Sequence, residues 1–118
     1  MRYMLLIYFD EAWGKLSLAE RQRIYLGQMD VANELTAKGQ YLGGNPLQPA
    51  ETATSVRVRD GKRLLIDGPF AETREQLGGY MLIDVADLDE ALAIAARGPV
   101  ASVGTVEVRP VREGPPAE

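Results

Sequence analysis

Three carboxylates and a guanidinium fall within nine residues of one another: Asp67, Glu72, Arg74 and Glu75. A carboxylate pair can move a proton, or hold a cation, when burial raises the pKa of one member toward neutrality. Asp67 and Glu72 are the candidates for that role, and Gly68, Pro69, Phe70 and Thr73 are the candidate ligand contacts around them. Pro69 fixes φ, Phe70 is a large apolar residue in an otherwise polar connection, and Gly78-Gly79 lets a ligand or another backbone approach closely. Tyr8 and Tyr80 could add hydroxyls from neighbouring strands. The same residues also read as an ordinary turn, with Phe70 plugging the core and Glu72 and Arg74 solvated. Local chemistry leaves both readings open.

Composition narrows the chemistry further. The chain has no histidine and no cysteine. It therefore has no imidazole base, no Ser-His-Asp triad, no thiolate nucleophile, no disulfide and no histidine- or thiolate-bound metal. No cofactor motif stands out: Gly43-Gly44 lacks both the spacing and the following helix of a phosphate-binding loop. A net charge of −4 argues against non-specific nucleic-acid binding, which needs a basic surface. The apolar start, Tyr3 to Phe9, is far short of a membrane span and reads as a buried strand instead of a leader. A cysteine-free chain of this kind fits a cytoplasmic setting.

The elements that must position these residues follow from periodicity. Residues 3 to 9 are apolar on both alternating faces, as expected of a central strand covered on both sides. Ser17-Leu18-Ala19-Glu20 is a capping box that opens a helix running to about Lys38, with Gly39 closing it. Leu18, Tyr25, Met29 and Ala32, widened by Ile24, Val31 and Leu35, form its buried stripe. Glu20, Arg23, Gln28 and Glu34 read as its solvated face. A short strand over 40–45 runs into a Gly/Asn/Pro loop. Alternation from Thr52, an Asp60-Gly61 turn of type I′ and a return over Lys62 to Ile66 predict a hairpin. Gly78 to Val85 is another strand, Asp87-Leu88-Asp89-Glu90 caps a second helix ended by Gly98-Pro99, and Thr105 to Val111 is the last strand.

The order is strand, helix, strand, hairpin, strand, helix, strand in one domain over 1–111, with 112–118 expected to be a disordered tail. This is an α+β, ferredoxin-like β-α-β-β-α-β plan with an inserted β-hairpin. Two helices cover one face of the sheet, yet the strands at 3–9 and 78–85 are apolar on both. A second copy packed sheet to sheet, giving a homodimer, resolves the conflict. Trp13 reads as a lid or dimer contact in the loop after the first strand. Arg57, Arg59, Lys62 and Arg63 read as charges that blunt an exposed strand, and the acidic residues Asp84 to Glu90 as helix capping.

The run DGPFAETREQLGGYMLIDVADLDEAL from Asp67, with RYMLLIY near the start and GTVEVRPV near the end, closely resembles the YCII-related family, in particular its DGPF-domain branch. The likeness extends from about Met1 to Val111. It implies the ferredoxin-like fold of the dimeric α/β-barrel group, a homodimer with two sheets face to face, and a ligand cleft near the subunit contact. Asp67, Gly68, Pro69, Phe70, Glu72 and Thr73 match the branch's motif residue by residue. A histidine–aspartate pair proposed for some relatives has no counterpart here, because histidine is absent. Relatives encoded beside extracytoplasmic-function sigma factors imply a second role, a non-catalytic regulatory or interaction module. The first expectation is therefore a small-molecule-binding homodimer with acid–base chemistry at Asp67 or Glu72, and the second a module linked to transcription.

Overall fold

A computed structural model describes residues 1–71 and 73–116. The described residues form a mixed α+β fold with antiparallel sheets and three α-helices. Its elements are β1 (Arg2–Phe9), α1 (Glu11–Lys15), α2 (Leu18–Ala37), β2 (Tyr41–Pro46), β3 (Thr54–Arg59), β4 (Lys62–Asp67), β5 (Gln76–Asp84), α3 (Leu88–Arg97) and β6 (Gly104–Pro110), with 3₁₀ turns over Ala50–Thr52 and Pro99–Ser102. Among the described residues, no helix is long and apolar enough to cross a membrane.

Local signals set the ends of these elements. Ser17 and Glu20 form the reciprocal capping box that starts α2: Glu20 N donates to Ser17 Oγ at 3.1 Å and Ser17 N to Glu20 Oε1 at 3.3 Å. Asp87 caps α3 by accepting from Glu90 N at 2.9 Å. Asp60 and Gly61 take positive φ of 52° and 73°, as the tight turn between β3 and β4 requires. Trp13 lies on the short helix α1 and not in a loop, because Asp10 caps that helix by accepting from Ala12 N at 2.8 Å.

The four-stranded sheet has the order β2-β5-β1-β6, antiparallel throughout. Alternation sends Tyr3, Leu5 and Ile7 of β1 and Met81 and Ile83 of β5 to the helix side, where all but Ile7 join one core with Val31 and Leu35 of α2 and Ala91, Ile94 and Ala95 of α3. The other face carries a cross-strand row, Asn45–Tyr80–Leu6–Glu107, beside a second, Leu82–Met4–Arg109. Among the described residues, no helix covers that face. Its apolar residues stay half-buried by neighbouring side chains alone.

Two expectations change here. Leu18, Tyr25 and Met29 are exposed, so the buried stripe of α2 is narrower than its apolar pattern and sits at the C-terminal half, on Val31 and Leu35. Gln28 is half-buried instead of solvated; its Oε1 accepts from Val100 N at 3.2 Å and its Nε2 faces Met81 Sδ at 3.9 Å. The N-terminal half of α2 thus stands off the sheet. The hairpin β3–β4 also departs from the body as an arm whose contacts are essentially internal. Every residue of β4 is exposed, and Val56, Val58 and Leu65, which share one face of the arm, are each about 60% exposed. The arm helps raise the radius of gyration to 16.2 Å, against about 13.5 Å for a compact chain of this length.

Candidate functional site

Where α2 stands off the sheet it leaves a cleft of about 730 Å³. This is within the ordinary range for small-molecule sites. Successive turns of α2 contribute Arg21, Ile24, Tyr25, Gln28, Met29 and Ala32, which lie on one side of a helix at spacings of three and four. The floor is Ile7 of β1 and Gly79 and Met81 of β5. Tyr41 and the 44–51 segment close one side, and Phe9 with Trp13 closes another.

Phe9 and Trp13 stack with ring centroids 4.1 Å apart and planes 24° apart. The stack exists because α1 follows β1 after a single residue and brings Trp13 back over the strand end. Gly78 is the other requirement. It forms an irregularity in β5, where Ile7 faces Gly79 but Tyr8 faces Leu77, and a Cβ on it would collide with the Phe9 ring. Gly44 plays the matching part on the far side: a Cβ there would lie 2.8 Å from the Tyr41 hydroxyl and 2.6 Å from Tyr80 O.

Two polar groups of the cleft stand apart electrostatically. Arg21 Nε is shielded from solvent and has no hydrogen-bond partner among the described residues. Buried polar groups are paired in nearly all cases, so such a donor calls for an explanation. Burial, with a smaller contribution from Tyr80, pushes the Tyr41 hydroxyl above its ordinary range. At neutral pH it is a proton donor, not a base. The carboxylates that border the cleft, Asp10, Glu11 and Glu51, are exposed, and Asp10 is engaged as the α1 cap.

The residues singled out from sequence fall in three places. Thr73, with Arg74, lines the cleft, and Tyr80 borders it while its hydroxyl accepts from Asn45 Nδ2 at 3.3 Å. Asp67, Gly68, Pro69 and Phe70 lie outside its lining, at the root of the hairpin arm. There Gly68, with φ of +96°, donates its N–H to Ala53 O at 2.6 Å and accepts from Ser55 Oγ at 3.0 Å. Phe70 is exposed and lies under the Arg57 guanidinium, 4.7 Å from its ring centre. Tyr8 is on the open sheet face and donates to Glu107 Oε1 at 3.3 Å. Arg109 bonds the other oxygen of Glu107 at 2.6 Å and, as the main cause, holds that carboxyl below its usual range. Glu72 lies outside the described residues.

Arg21, Gln28 and Tyr41 did not emerge from the sequence as site residues. The available signal was a polar interruption of an apolar stripe: Arg21 and Gln28 sit seven residues apart, on the same side of α2 as Ile24, Tyr25 and Ala32.

Comparison with known proteins adds three findings. The YCII-related domain matches residues 1–114. An uncharacterised protein of Rhizobium meliloti strain 1021 is 39% identical over 124 aligned residues, covering 100% of this chain and 98% of the relative. Among solved structures, 5-chloro-2-hydroxyhydroquinone dehydrochlorinase from Burkholderia phenoliruptrix AC1100, in complex with 2,5-dihydroxybenzoquinone, superposes with a TM-score of 0.58 over 97% of this chain and 96% of its own. At 15% identity the likeness is one of fold.

Proposed function

This chain belongs to the YCII-related family, and from that premise we propose that it binds a small organic molecule in the cleft between α2 and the sheet. The observation that carries the reading is the cleft itself, about 730 Å³, walled by the Phe9–Trp13 stack, Tyr25 and Met29 with a few convergent polar groups. Such a site is what a small-molecule pocket requires: apolar walls for affinity and sparse polar atoms for orientation. The ring-binding neighbour of like fold agrees with it. The Asp67–Thr73 signature, which we assign to the DGPF branch, meets the site through Thr73, while Asp67 to Phe70 hold the root of the arm. Acid–base chemistry, with no imidazole in the chain, falls to a carboxylate at the cleft border or to one of the Asp67–Glu72 pair.

The assembly we propose is a homodimer of ferredoxin-like subunits in the dimeric α/β-barrel manner. Its support is the sheet face bearing Met4, Leu6 and Leu82 and the apolar face of the arm, neither of which finds cover among the described residues. An isolated two-stranded hairpin is marginal in water, so a second copy offers what this one lacks. Charge favours the same occupant: the arm carries four basic side chains against two acidic ones in a chain of net charge −4. The reading as a module linked to sigma factors draws on none of these features.

The test is amide chemical-shift mapping with a library of one- and two-ring fragments. Saturable shifts clustered at Trp13, Tyr25, Gln28 and Tyr41 support the cleft. Shifts confined to the open sheet face around Tyr8 and Glu107, or none at all, reject it.

A further inference from the structure

We infer that the ligand of this cleft is a planar organic anion, a ring bearing a carboxylate or enolate, with its charge received by Arg21 and its ring laid against the Phe9–Trp13 stack. The inference rests on the small-molecule reading above and names the class of molecule. Its first support is Arg21 on the first turns of α2, a half-buried cation in the cleft lining whose Nε makes no hydrogen bond with the described residues. A guanidinium keeps its charge at any ordinary pH and carries donors only, so it offers the cleft a fixed cation that an acceptor can pair with. Carboxylates and enolates supply oxygens in the plane of the ring, the geometry that a guanidinium fork matches.

The second support lies across the cleft. Tyr41 lines the same cleft, and Gly44 keeps the space beside its hydroxyl clear. Burial raises the pKa of that hydroxyl further above the ordinary value, so it too offers a donor to an oxyanion in the cleft. Both inner groups are therefore donors. The opposing charges, Asp10, Glu11 and Glu51, are at exposed positions where water and salt screen them, whereas Arg21 is half-buried and counts for more. The aromatic wall sets the shape. Phe9 and Trp13 present a stacked pair, Tyr25 borders the same space, and the volume exceeds that of one ring with its substituents.

A matched pair of probes separates charge from shape. 4-Hydroxybenzoate and 4-hydroxybenzamide have nearly the same outline and differ in charge at neutral pH. Trp13 is the single tryptophan, so its indole N–H gives one resolved nitrogen–proton resonance that reports from the cleft wall. The acid should shift that resonance saturably and bind at least about tenfold more tightly than the amide, as expected of a shielded charge-assisted contact. Arg21→Gln should reduce the acid to the level of the amide and leave the amide unchanged, which also shows that the variant is folded. Arg21→Lys should keep part of the preference. Equal binding of the two probes, or a preference that survives Arg21→Gln, overturns the inference while leaving the cleft a binding site. An indole resonance that responds to neither probe removes the cleft reading and the inference with it.

Discussion

Gly78→Ala tests how the cleft wall is built. A Cβ at Gly78 would lie 2.6 Å from Phe9 Cε2 and closer still to Cδ2, so the ring must swing away. Three terms set the cost. Overpacking of this kind costs about 1–3 kcal/mol. Loss of the Phe9–Trp13 pair adds about 0.5–1.5 kcal/mol. The alanine restrains the unfolded chain and returns about 0.4–1 kcal/mol. The net is a destabilisation of about 0.5–4 kcal/mol, which for a chain of 118 residues lowers Tm by roughly 2–16 °C. Calorimetry reads the Tm. Near-ultraviolet circular dichroism reads the single tryptophan, whose band should weaken as the stack opens, and the 4-hydroxybenzoate response should fall in parallel. A variant within about 0.5 kcal/mol of the parent, with an unchanged tryptophan band, would refute the claim that Gly78 makes room for the stack.

Three further outcomes follow from named contacts. Gln28→Leu leaves the Val100 N–H without its acceptor and should cost about 1–3 kcal/mol, read as a lower urea midpoint at constant slope. For Tyr41, whose pKa in the fold is raised above the ordinary 10.0, stability is fully present below that value and is lost as pH rises through the raised one. Tyr41→Phe should therefore flatten the alkaline loss of stability, read as the urea midpoint measured across alkaline pH. On the arm, paired Val58→Glu and Leu65→Glu changes put charge on its apolar face and should weaken self-association about a hundredfold or more. Sedimentation at micromolar concentration reads this, and an unchanged dimer would exclude the arm from the interface.

Local rules made much of this molecule legible in advance. Ser17 with Glu20, Asp87 with Glu90, and Asp60-Gly61 each carry their structure in side-chain chemistry a few residues long, and all three occur as the sequence predicts. The apolar run over residues 3–9 likewise marks a central strand, and β1 lies between β5 and β6, although among the described residues only one of its faces is covered. What eluded the sequence is how far elements stand from one another. The apolar pattern of α2 cannot reveal that its N-terminal half is lifted off the sheet, so Leu18 reads as core and is exposed, while Gln28 reads as solvated and is half-buried. The cleft draws Arg21, Tyr41 and Met81 from three separate segments, and their convergence depends on the β2-β5-β1 order and not on spacing along the chain. Asp67 to Phe70 drew notice through composition, and the structure puts them at the hairpin root, where Gly68 adopts a conformation few other residues tolerate.

The central claim is that the space between α2 and the sheet is where this protein holds its ligand. A crystal structure of the complex with 4-hydroxybenzoate tests it most directly. The account predicts the ring against Phe9 and Trp13, with the carboxylate within hydrogen-bonding distance of Arg21. A ring bound on the open sheet face beside Tyr8 and Glu107, with the cleft left to solvent, would contradict it.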